Sequence, residues 1–258
     1  MPLSAQLDVV FGAHPQSRVD VFVPDRSDSR ALVALYAGGW WTAPRREELR
    51  SVALVLAAQG WPVAVVGVRP LALATGGDGA RNGAEVLVDA RAGLDRAIEE
   101  AGLLGLPHRD AILVGSGSGS LVALTLGHRL AVNGGKNRAP RVRGVVAAGV
   151  TPSLDKADIA HTHHMVAERF AGSEAAALSP MGLDPADFPD LMLLHGDGDG
   201  DVSGKVVARF RERFPAETPV EFSHLTGLGH QFLEDPHGKG RSAVERLAGF
   251  LDRHGQIT

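Results

Sequence analysis

Cysteine is absent from this 258-residue sequence. The absence rules out disulfides, thiolate metal ligands and a cysteine nucleophile, and it leaves the redox compartment of the protein undecided. No apolar run reaches the roughly 18 residues that a membrane-spanning helix needs. A basic excess is missing too, since the formal net charge is −4 and the lysines and arginines are scattered along the chain. We therefore expect neither a nucleic acid nor a membrane as a partner.

The N-terminal stretch MPLSAQLDVVFG lacks the pattern of an export signal, in which a basic segment precedes an apolar core and a cleavage site. This predicts a cytoplasmic location. The composition, with 44% hydrophobic and 22% charged residues, is that of an ordinary globular protein. The length suits a single α/β domain over residues 1–258 with a large core.

Short apolar runs alternate with amphipathic stretches and predict a mostly parallel sheet with helices on both faces. The first two strands are predicted to form a hairpin around the turn AHPQS. Residues 155–190 combine one helix-like stretch with several turn signals and are expected to fold over the sheet as a small cap. The predicted strands are Leu7–Phe11, Arg18–Val23, Ala31–Tyr36, Pro62–Val68, Ala111–Val114, Val142–Val150, Leu191–His195 and Val220–Leu225. The predicted helices are Arg45–Gln59, Ala84–Ala101, Leu121–Val132, Lys205–Phe214 and Ser242–His254.

The stretch AILVGSGSGSLVAL, residues 111–124, interrupts an apolar strand with alternating glycine and serine. In an open parallel sheet, ligands bind beyond the carboxyl ends of the strands and beside helix N-termini. The motif Gly-x-Ser-x-Gly places a nucleophilic serine at such a point, on a strained strand-to-helix turn. Only the register centred on Gly117 has the required flanking glycines, because Ser116 and Ser118 are flanked by larger residues. The best register therefore has no hydroxyl at its centre.

Glycine adopts the backbone of such a tip almost freely, whereas a residue with a Cβ costs about 1–3 kcal/mol there. Loss of the serine relieves this strain. A natural loss of the serine and an engineered substitution of serine by glycine would give the same sequence, so both origins stay open. A glycine-rich turn without function is the simplest alternative, because such turns are common. A dinucleotide-binding fingerprint is rejected, because the acidic residue that it needs about 20 positions later is missing.

The stretch LVALYAGGWW, residues 32–41, runs a predicted strand into Gly38 and Gly39. Glycine lets backbone N–H groups point at a ligand, and one such donor to a developing oxyanion is worth about 2.7–4 kcal/mol. The alternative is a glycine turn beside which Trp40 and Trp41 pack in the core. For Trp41 both interpretations stay open.

Two later stretches place an acid and a histidine after the seventh and eighth predicted strands. They are LMLLHGDGDGDV, residues 191–202, with Asp199, and HLTGLGHQFLED, residues 224–235, with His230. The two residues lie 31 positions apart and follow the glycine turn in chain order. A solvated acidic turn and a surface histidine are the alternatives. A calcium loop fits poorly, because its glycine and glutamate positions hold other residues.

Together these motifs resemble those of the α/β-hydrolase superfamily, nearest to its esterase and kynurenine formamidase-like branch. The resemblance runs from about Leu32 to His254 and includes the Leu-Ser-Pro step at residues 178–180. It implies the α/β-hydrolase fold, with an eight-stranded sheet and a pocket at the carboxyl edge that residues 155–190 roof. The implied activity is hydrolysis of carboxylic esters or amides through an acyl-enzyme.

The sequence departs from this family at Gly117, where the nucleophilic serine is expected, and at Ala37, where the family has histidine. Without the nucleophile, the acyl-enzyme route is not available at its usual place. The site roles that the resemblance implies are His230 as the base, Asp199 as the acid, Gly38, Gly39 and the N–H of Ser118 as the oxyanion hole, and Trp40 in the substrate pocket.

Three functional hypotheses follow for a small-molecule substrate or ligand. Ser116 or Ser118 attacks from a shifted position; the pair His230–Asp199 acts as a general base in hydrolysis or in a lyase or cyclase reaction; or the protein only binds a ligand. No cofactor is expected. The run His-x-His-His at residues 161–164 prompts a metal hypothesis, but no acidic partner stands out, so a solvated face of the cap is favoured.

Overall fold

The computed structural model describes residues 2–25, 27–74, 77–134 and 139–257. Eight strands form one sheet in the spatial order β1-β2-β4-β3-β5-β6-β7-β8. The strands are β1 (Leu3–Val10), β2 (Arg18–Pro24), β3 (Leu32–Tyr36), β4 (Val63–Val66), β5 (Asp110–Ser116), β6 (Arg141–Ala148), β7 (Asp190–Gly196) and β8 (Val220–Leu225). The α-helices are α1 (Arg50–Ala58), α2 (Gly83–Leu103), α3 (Gly119–Asn133), α4 (His164–Ala171), α5 (Ala175–Leu178), α6 (Gly204–Glu212) and α7 (Arg241–His254).

The sheet is antiparallel at one edge and parallel elsewhere. Strand β1 pairs with β2 and β2 with β4 in antiparallel fashion. The remaining pairs, from β4–β3 to β7–β8, are parallel. The predictions of an N-terminal hairpin and of a mostly parallel sheet are therefore confirmed.

Most predicted boundaries differ from those of the structure by one to five residues, and three of these differences have a clear local cause. Strand β1 begins at Leu3 instead of Leu7, because this edge strand is largely exposed and carries no continuous apolar pattern. Strand β6 ends at Ala148, since Gly149 leaves the extended conformation with a φ of 63°. The helix predicted from Arg45 begins as a 3-10 turn and becomes α1 only at Arg50.

Both faces of the sheet are covered, which explains the nearly continuous apolar strands. All five residues of β3 are buried. Ala34 and Tyr36 pack in the apolar cluster that includes α2 and α3, whereas Val33 and Leu35 pack in the cluster that includes α1 and α7. No helix within the described ranges is long and apolar enough to cross a bilayer.

Residues 155–190 connect β6 to β7 and hold more helix than was predicted. They contain the 3-10 turn His161–His163, helices α4 and α5, and two further short turns at Pro180–Gly182 and Pro185–Asp187. The start of the segment is tied to the loop after β7, because the Ala160 N–H donates to the carbonyl oxygen of Asp201 at 2.8 Å.

The parallel strands bring the candidate site residues to one edge of the sheet. Strands β3, β5, β7 and β8 all end there, and the chain leaves them into the loops that hold Gly38, Gly117, Asp199 and His230, respectively.

Candidate active site

The turn between β5 and α3 is sharp and centres on Gly117. Gly117 has a φ of 53°, in the left-handed region that favours glycine. Its N–H donates to the carbonyl oxygen of Ala148 at 2.7 Å, and its own carbonyl oxygen accepts from the Ser120 N–H at 2.9 Å. A Cβ on the following glycine, Gly119, would overlap the carbonyl oxygen of Tyr36, so the helix starts in close contact with β3. This is the strand-to-helix geometry of a nucleophile elbow.

Asp199 and His230 form a hydrogen-bonded pair beside this turn. The Nδ1 atom of His230 lies 2.8 Å from Oδ2 of Asp199. The other oxygen, Oδ1, accepts the N–H groups of Asp201 and Val202 at 2.9 Å each. Burial by itself raises the pKa of the Asp199 carboxyl, but the hydrogen bonds from His230 and Val202 outweigh burial and bring the pKa below its usual value. Asp199 is therefore a carboxylate at neutral pH.

The ionised carboxylate determines the tautomer of His230. A carboxylate only accepts hydrogen bonds, so Nδ1 of the imidazole must carry the proton that it donates. In the neutral ring, Nε2 is then free to act as an acceptor. This Nε2 atom is buried and has no hydrogen-bond partner within the described residues. It lies 3.4 Å from the point where a Cβ on Gly117 would stand.

The segment after β3 lies against the other side of the turn. A Cβ on Gly38 would stand 2.8 Å from the carbonyl oxygen of Ser116 and 3.4 Å from the backbone nitrogen of Ser118. Within the described part of the chain, neither the Gly39 nor the Ser118 N–H donates a turn or loop hydrogen bond. The three residues predicted to form an oxyanion hole thus lie in adjoining loops at the elbow.

Neither neighbouring serine presents its hydroxyl to His230. The Ser116 hydroxyl donates to Oε1 of Glu234 at 2.6 Å. The Ser118 hydroxyl is buried and has no partner in the described residues. Since the Nε2 atom of His230 is also unpaired, neither serine forms the nucleophile–base hydrogen bond that a shifted attack calls for.

Glu234 was missed by the sequence analysis, although it follows His230 by only four residues. Its side chain reaches back under the turn, and burial raises the pKa of its carboxyl, with the Ser116 hydrogen bond opposing the rise. The signal that could have found it is its position directly after the apolar pair Phe232 and Leu233 and close to the candidate base, although Asp235 offers a second carboxylate at the same place.

Replacing Glu234 with glutamine should make stability less sensitive to pH. Burial raises the pKa of Glu234 in the folded protein. The free energy of unfolding of the wild type is therefore highest below the pKa of the unfolded state, about 4.3, and falls as the pH rises through the higher pKa of the folded state. Glutamine keeps an oxygen for Ser116 but does not ionise. We expect the free energy of unfolding of Glu234→Gln, relative to wild type, to rise as pH increases through this window, measured by urea denaturation.

The matched control is Glu217→Gln, which removes an exposed carboxyl in a loop. Its unfolding free energy should follow that of the wild type at every pH. If the free energies of unfolding of Glu234→Gln and wild type change in parallel with pH, the raised pKa of the Glu234 carboxyl is contradicted.

Trp40 lies over the histidine of the pair. Its ring stacks on His163 at 3.9 Å between centroids and on His230 at 5.6 Å, with interplanar angles of 8° and 15°. The indole N–H donates to Oδ2 of Asp201 at 3.2 Å, and Nε2 of His163 lies 3.1 Å from Oδ1 of the same carboxylate. Trp40 is 8% exposed. Residues 155–190 therefore reach the candidate site through His163.

Both tryptophans have left-handed backbones, with φ of 45° at Trp40 and 58° at Trp41. Such a conformation costs about 1–3 kcal/mol for a residue with a Cβ and persists where surrounding contacts hold it. For Trp41 these contacts are a hydrogen bond from the indole to the Ser118 carbonyl oxygen at 3.0 Å and packing on Phe170 at 4.0 Å between centroids. Trp41 is thus a core residue that also braces the turn.

The histidine run at residues 161–164 does not form a metal site in the part of the chain that the structure describes. His161 belongs to the 3-10 turn, whereas His164 begins α4, and their rings are tilted by 59°. His164 instead lies 3.1 Å from the carbonyl oxygen of Ile159 through Nε2.

His195, at the end of β7, is a second histidine beside Asp199 that the sequence analysis did not single out. Its Nδ1 atom lies 3.6 Å from Oδ2 of Asp199, too far for a hydrogen bond. Burial lowers the pKa of its imidazole, so the ring is neutral and does not compete with His230 for the carboxylate.

No protein-family model and no curated protein sequence matches this chain. Solved structures do match. Esterase B from Lactobacillus rhamnosis, in a tributyrin phosphonate complex, aligns with a TM-score of 0.80 at 17% identity, over 97% of this chain and 85% of that one. The fold is that of the α/β-hydrolases. A thermophilic esterase from Thermogutta terrifontis aligns with a TM-score of 0.76 at 18% identity, over 98% and 96% of the two chains. A truncated carbohydrate esterase from gut microbiota aligns with a TM-score of 0.77 at 16% identity, over 97% and 96%.

Proposed function

We propose that this α/β-hydrolase-fold protein hydrolyses a carboxylic ester or amide with water as the direct nucleophile and with His230 as the general base. The observation that carries the proposal is the buried Nε2 atom of His230, which has no hydrogen-bond partner among the described residues. Asp199 holds the opposite side of the ring, and Nε2 faces the point where Gly117 lacks a side chain. A water molecule bound there would take the place of the missing hydroxyl.

The reaction balances without a covalent intermediate. Nε2 accepts a proton from water as the water oxygen forms its bond to the carbonyl carbon. The carbonyl oxygen gains negative charge, and the N–H groups at Gly39 and Ser118 stabilise it by donating hydrogen bonds. The bond between the carbonyl carbon and the leaving atom then breaks; this atom is the alcohol oxygen of an ester or the amine nitrogen of an amide. Nε2 returns the proton to the same atom. Asp199 stabilises the imidazolium that forms between the two proton transfers.

A test of the general base compares His230→Asn with wild type on short-chain p-nitrophenyl esters. General-base catalysis typically contributes about 10²–10⁴-fold, so we expect kcat/KM to fall by about that factor in His230→Asn. The matched control is His237→Asn, an exposed histidine in the same loop, which should keep the wild-type rate. Equal rates for His230→Asn and wild type would contradict the proposal.

Labelling with an organophosphorus reagent separates water from a serine nucleophile. The Thermogutta terrifontis esterase is phosphoramylated by tabun. In this chain the described serines of the turn do not contact the base, so we expect a fluorophosphonate to leave the protein unlabelled in intact-mass spectra while hydrolysis proceeds. An adduct on Ser116 or Ser118 would overturn the direct role of water.

A ligand-binding protein without catalysis is the second candidate, and the closure of the site favours it. His230 and Trp40 are both nearly covered, and His163 is stacked over Trp40. If the protein only binds a ligand, we expect saturable binding of a small carboxylate and no hydrolysis that depends on His230. The rate of His230→Asn therefore decides between the two candidates.

A further inference from the structure

Gln231, the residue after His230, lies across the gap that Gly117 leaves. Its Cγ atom is 3.1 Å from the point where a Cβ on Gly117 would stand. Its Nε2 atom is 2.6 Å from the corresponding point on Gly38. The side chain therefore runs from the tip of the elbow to the first glycine of the predicted oxyanion hole. Its carboxamide makes no hydrogen bond within the described residues, although the residue as a whole is exposed.

Two hydrogen-bond donors lie near the Cβ position of Gly38, and one acceptor lies near the Cβ position of Gly117. The Ser118 nitrogen lies 3.4 Å from the same Cβ position on Gly38 that the Gln231 amide approaches. The acceptor, Nε2 of His230, faces Gly117 from the side. A carbonyl group bound between them would have its oxygen beside two N–H donors and its carbon beside a water held by the base. Preorganised donors at the place where charge develops are an effective way to stabilise an oxyanion.

We propose that Gln231 is a catalytic residue whose side-chain amide donates a hydrogen bond to the oxyanion of the substrate. The proposal rests on the proposed function, because it assumes that a carbonyl group reacts at Gly117. The segment after β3 has Ala37 where the esterase family that the sequence resembles has histidine, so this position offers no polar side chain. The carboxamide of Gln231 supplies a polar group from another loop.

The competing role for the same side chain is obstruction, since it also occupies the space in which a substrate would bind. The two roles predict opposite effects of substitution. Gln231→Leu keeps most of the volume but removes the donor, whereas Gln231→Ala removes both. A donor is needed more in the transition state than in the ground state, so its loss lowers kcat and leaves KM nearly unchanged.

For an oxyanion donor we expect kcat to fall by about 10²-fold in both Gln231→Leu and Gln231→Ala, as the loss of one such donor costs in other enzymes. The matched control is Gln6→Leu on the exposed edge strand β1, which should keep the wild-type kcat. Wild-type kcat in Gln231→Leu, or a faster reaction in Gln231→Ala, would overturn the proposal.

A second measurement does not depend on activity. Butyrate presents carboxylate oxygens to the donors as an analogue of the anionic product. In ¹⁵N-labelled protein, the side-chain amide signals of Gln231 are identified by their disappearance in Gln231→Leu. We expect these signals to shift on titration with butyrate and to saturate, and we expect Gln231→Leu to bind butyrate at least several-fold more weakly.

The pair of measurements separates the two proposals. A response of the Gln231 amide to butyrate without hydrolysis that depends on His230 would leave the donor in place and refute the proposed reaction. Hydrolysis that depends on His230, with no response of the amide and an unchanged kcat in Gln231→Leu, would refute the role of Gln231 alone. Silence in both experiments would refute both.

Discussion

Gly117→Ser should turn the protein into an esterase that acts through an acyl-enzyme. The new Cβ would stand 3.4 Å from Nε2 of His230, so the hydroxyl it carries comes within hydrogen-bonding reach of the base. The new Cβ would also stand 3.1 Å from Cγ of Gln231 and 3.3 Å from Cδ2 of His230. These contacts require shifts of a few tenths of an ångström, which the exposed Gln231 side chain can make and which the His230 ring must share. Loss of the serine from a working triad costs about 10⁶-fold in kcat, and we expect its return here to raise kcat/KM by at least about 10³-fold.

Gly117→Ala is the matched control, since it has the same backbone strain but no hydroxyl. A residue with a Cβ costs about 1–2 kcal/mol in the left-handed region. Both variants should lose a similar amount of stability in urea denaturation, and only Gly117→Ser should gain rate. It should also react with a fluorophosphonate at position 117 and show a burst of p-nitrophenol. A folded Gly117→Ser protein that neither reacts with the probe nor hydrolyses esters would contradict the convergence of His230 and the turn.

Gly149→Ala should cost both stability and the alignment of His230. A Cβ on Gly149 would overlap the carbonyl oxygen of His230, and a backbone atom cannot move aside as a flexible side chain does. Overpacking typically costs about 1–3 kcal/mol. The φ of 63° at Gly149 adds about 1–2 kcal/mol for a residue with a Cβ. We expect a loss of about 2–5 kcal/mol in the free energy of unfolding, together with loss of any hydrolysis that depends on His230.

Gly134→Ala isolates the contribution of the backbone. Gly134 also has a left-handed φ, 55°, but a Cβ there would meet no atom of the described residues within 4 Å. Its substitution should therefore cost only the conformational part, about 1–2 kcal/mol, and leave the histidine loop in place. Equal losses of stability for Gly149→Ala and Gly134→Ala in urea denaturation would mean that the loop of His230 moves aside for the new methyl group. That result would contradict the steric cost expected at Gly149.

The central part of the sheet was predictable from sequence because its strands are buried on both faces. The run VAVV of β4 and the run AILV of β5 are apolar throughout, and each is followed by glycine or a turn. The edge strand β1 was placed less well, since its residues face solvent and tolerate any pattern. The place of Gly117 in a strand-to-helix turn was also predictable. Close backbone contacts at such a turn require small residues at a fixed spacing, and this spacing is visible in the sequence.

Local periodicity and the identity of single residues were enough to establish the sheet, the position of the turn and the absence of a hydroxyl at its centre. Which groups meet at the turn became clear only from the folded chain. Three kinds of contact join loops that are remote in the chain: the hydrogen bond between Ser116 and Glu234, the stacking of Trp40 on His163 and on His230, and the approach of Gln231 to Gly38. Such contacts depend on the order of strands in the sheet and on side-chain directions, neither of which has a local signature in the sequence.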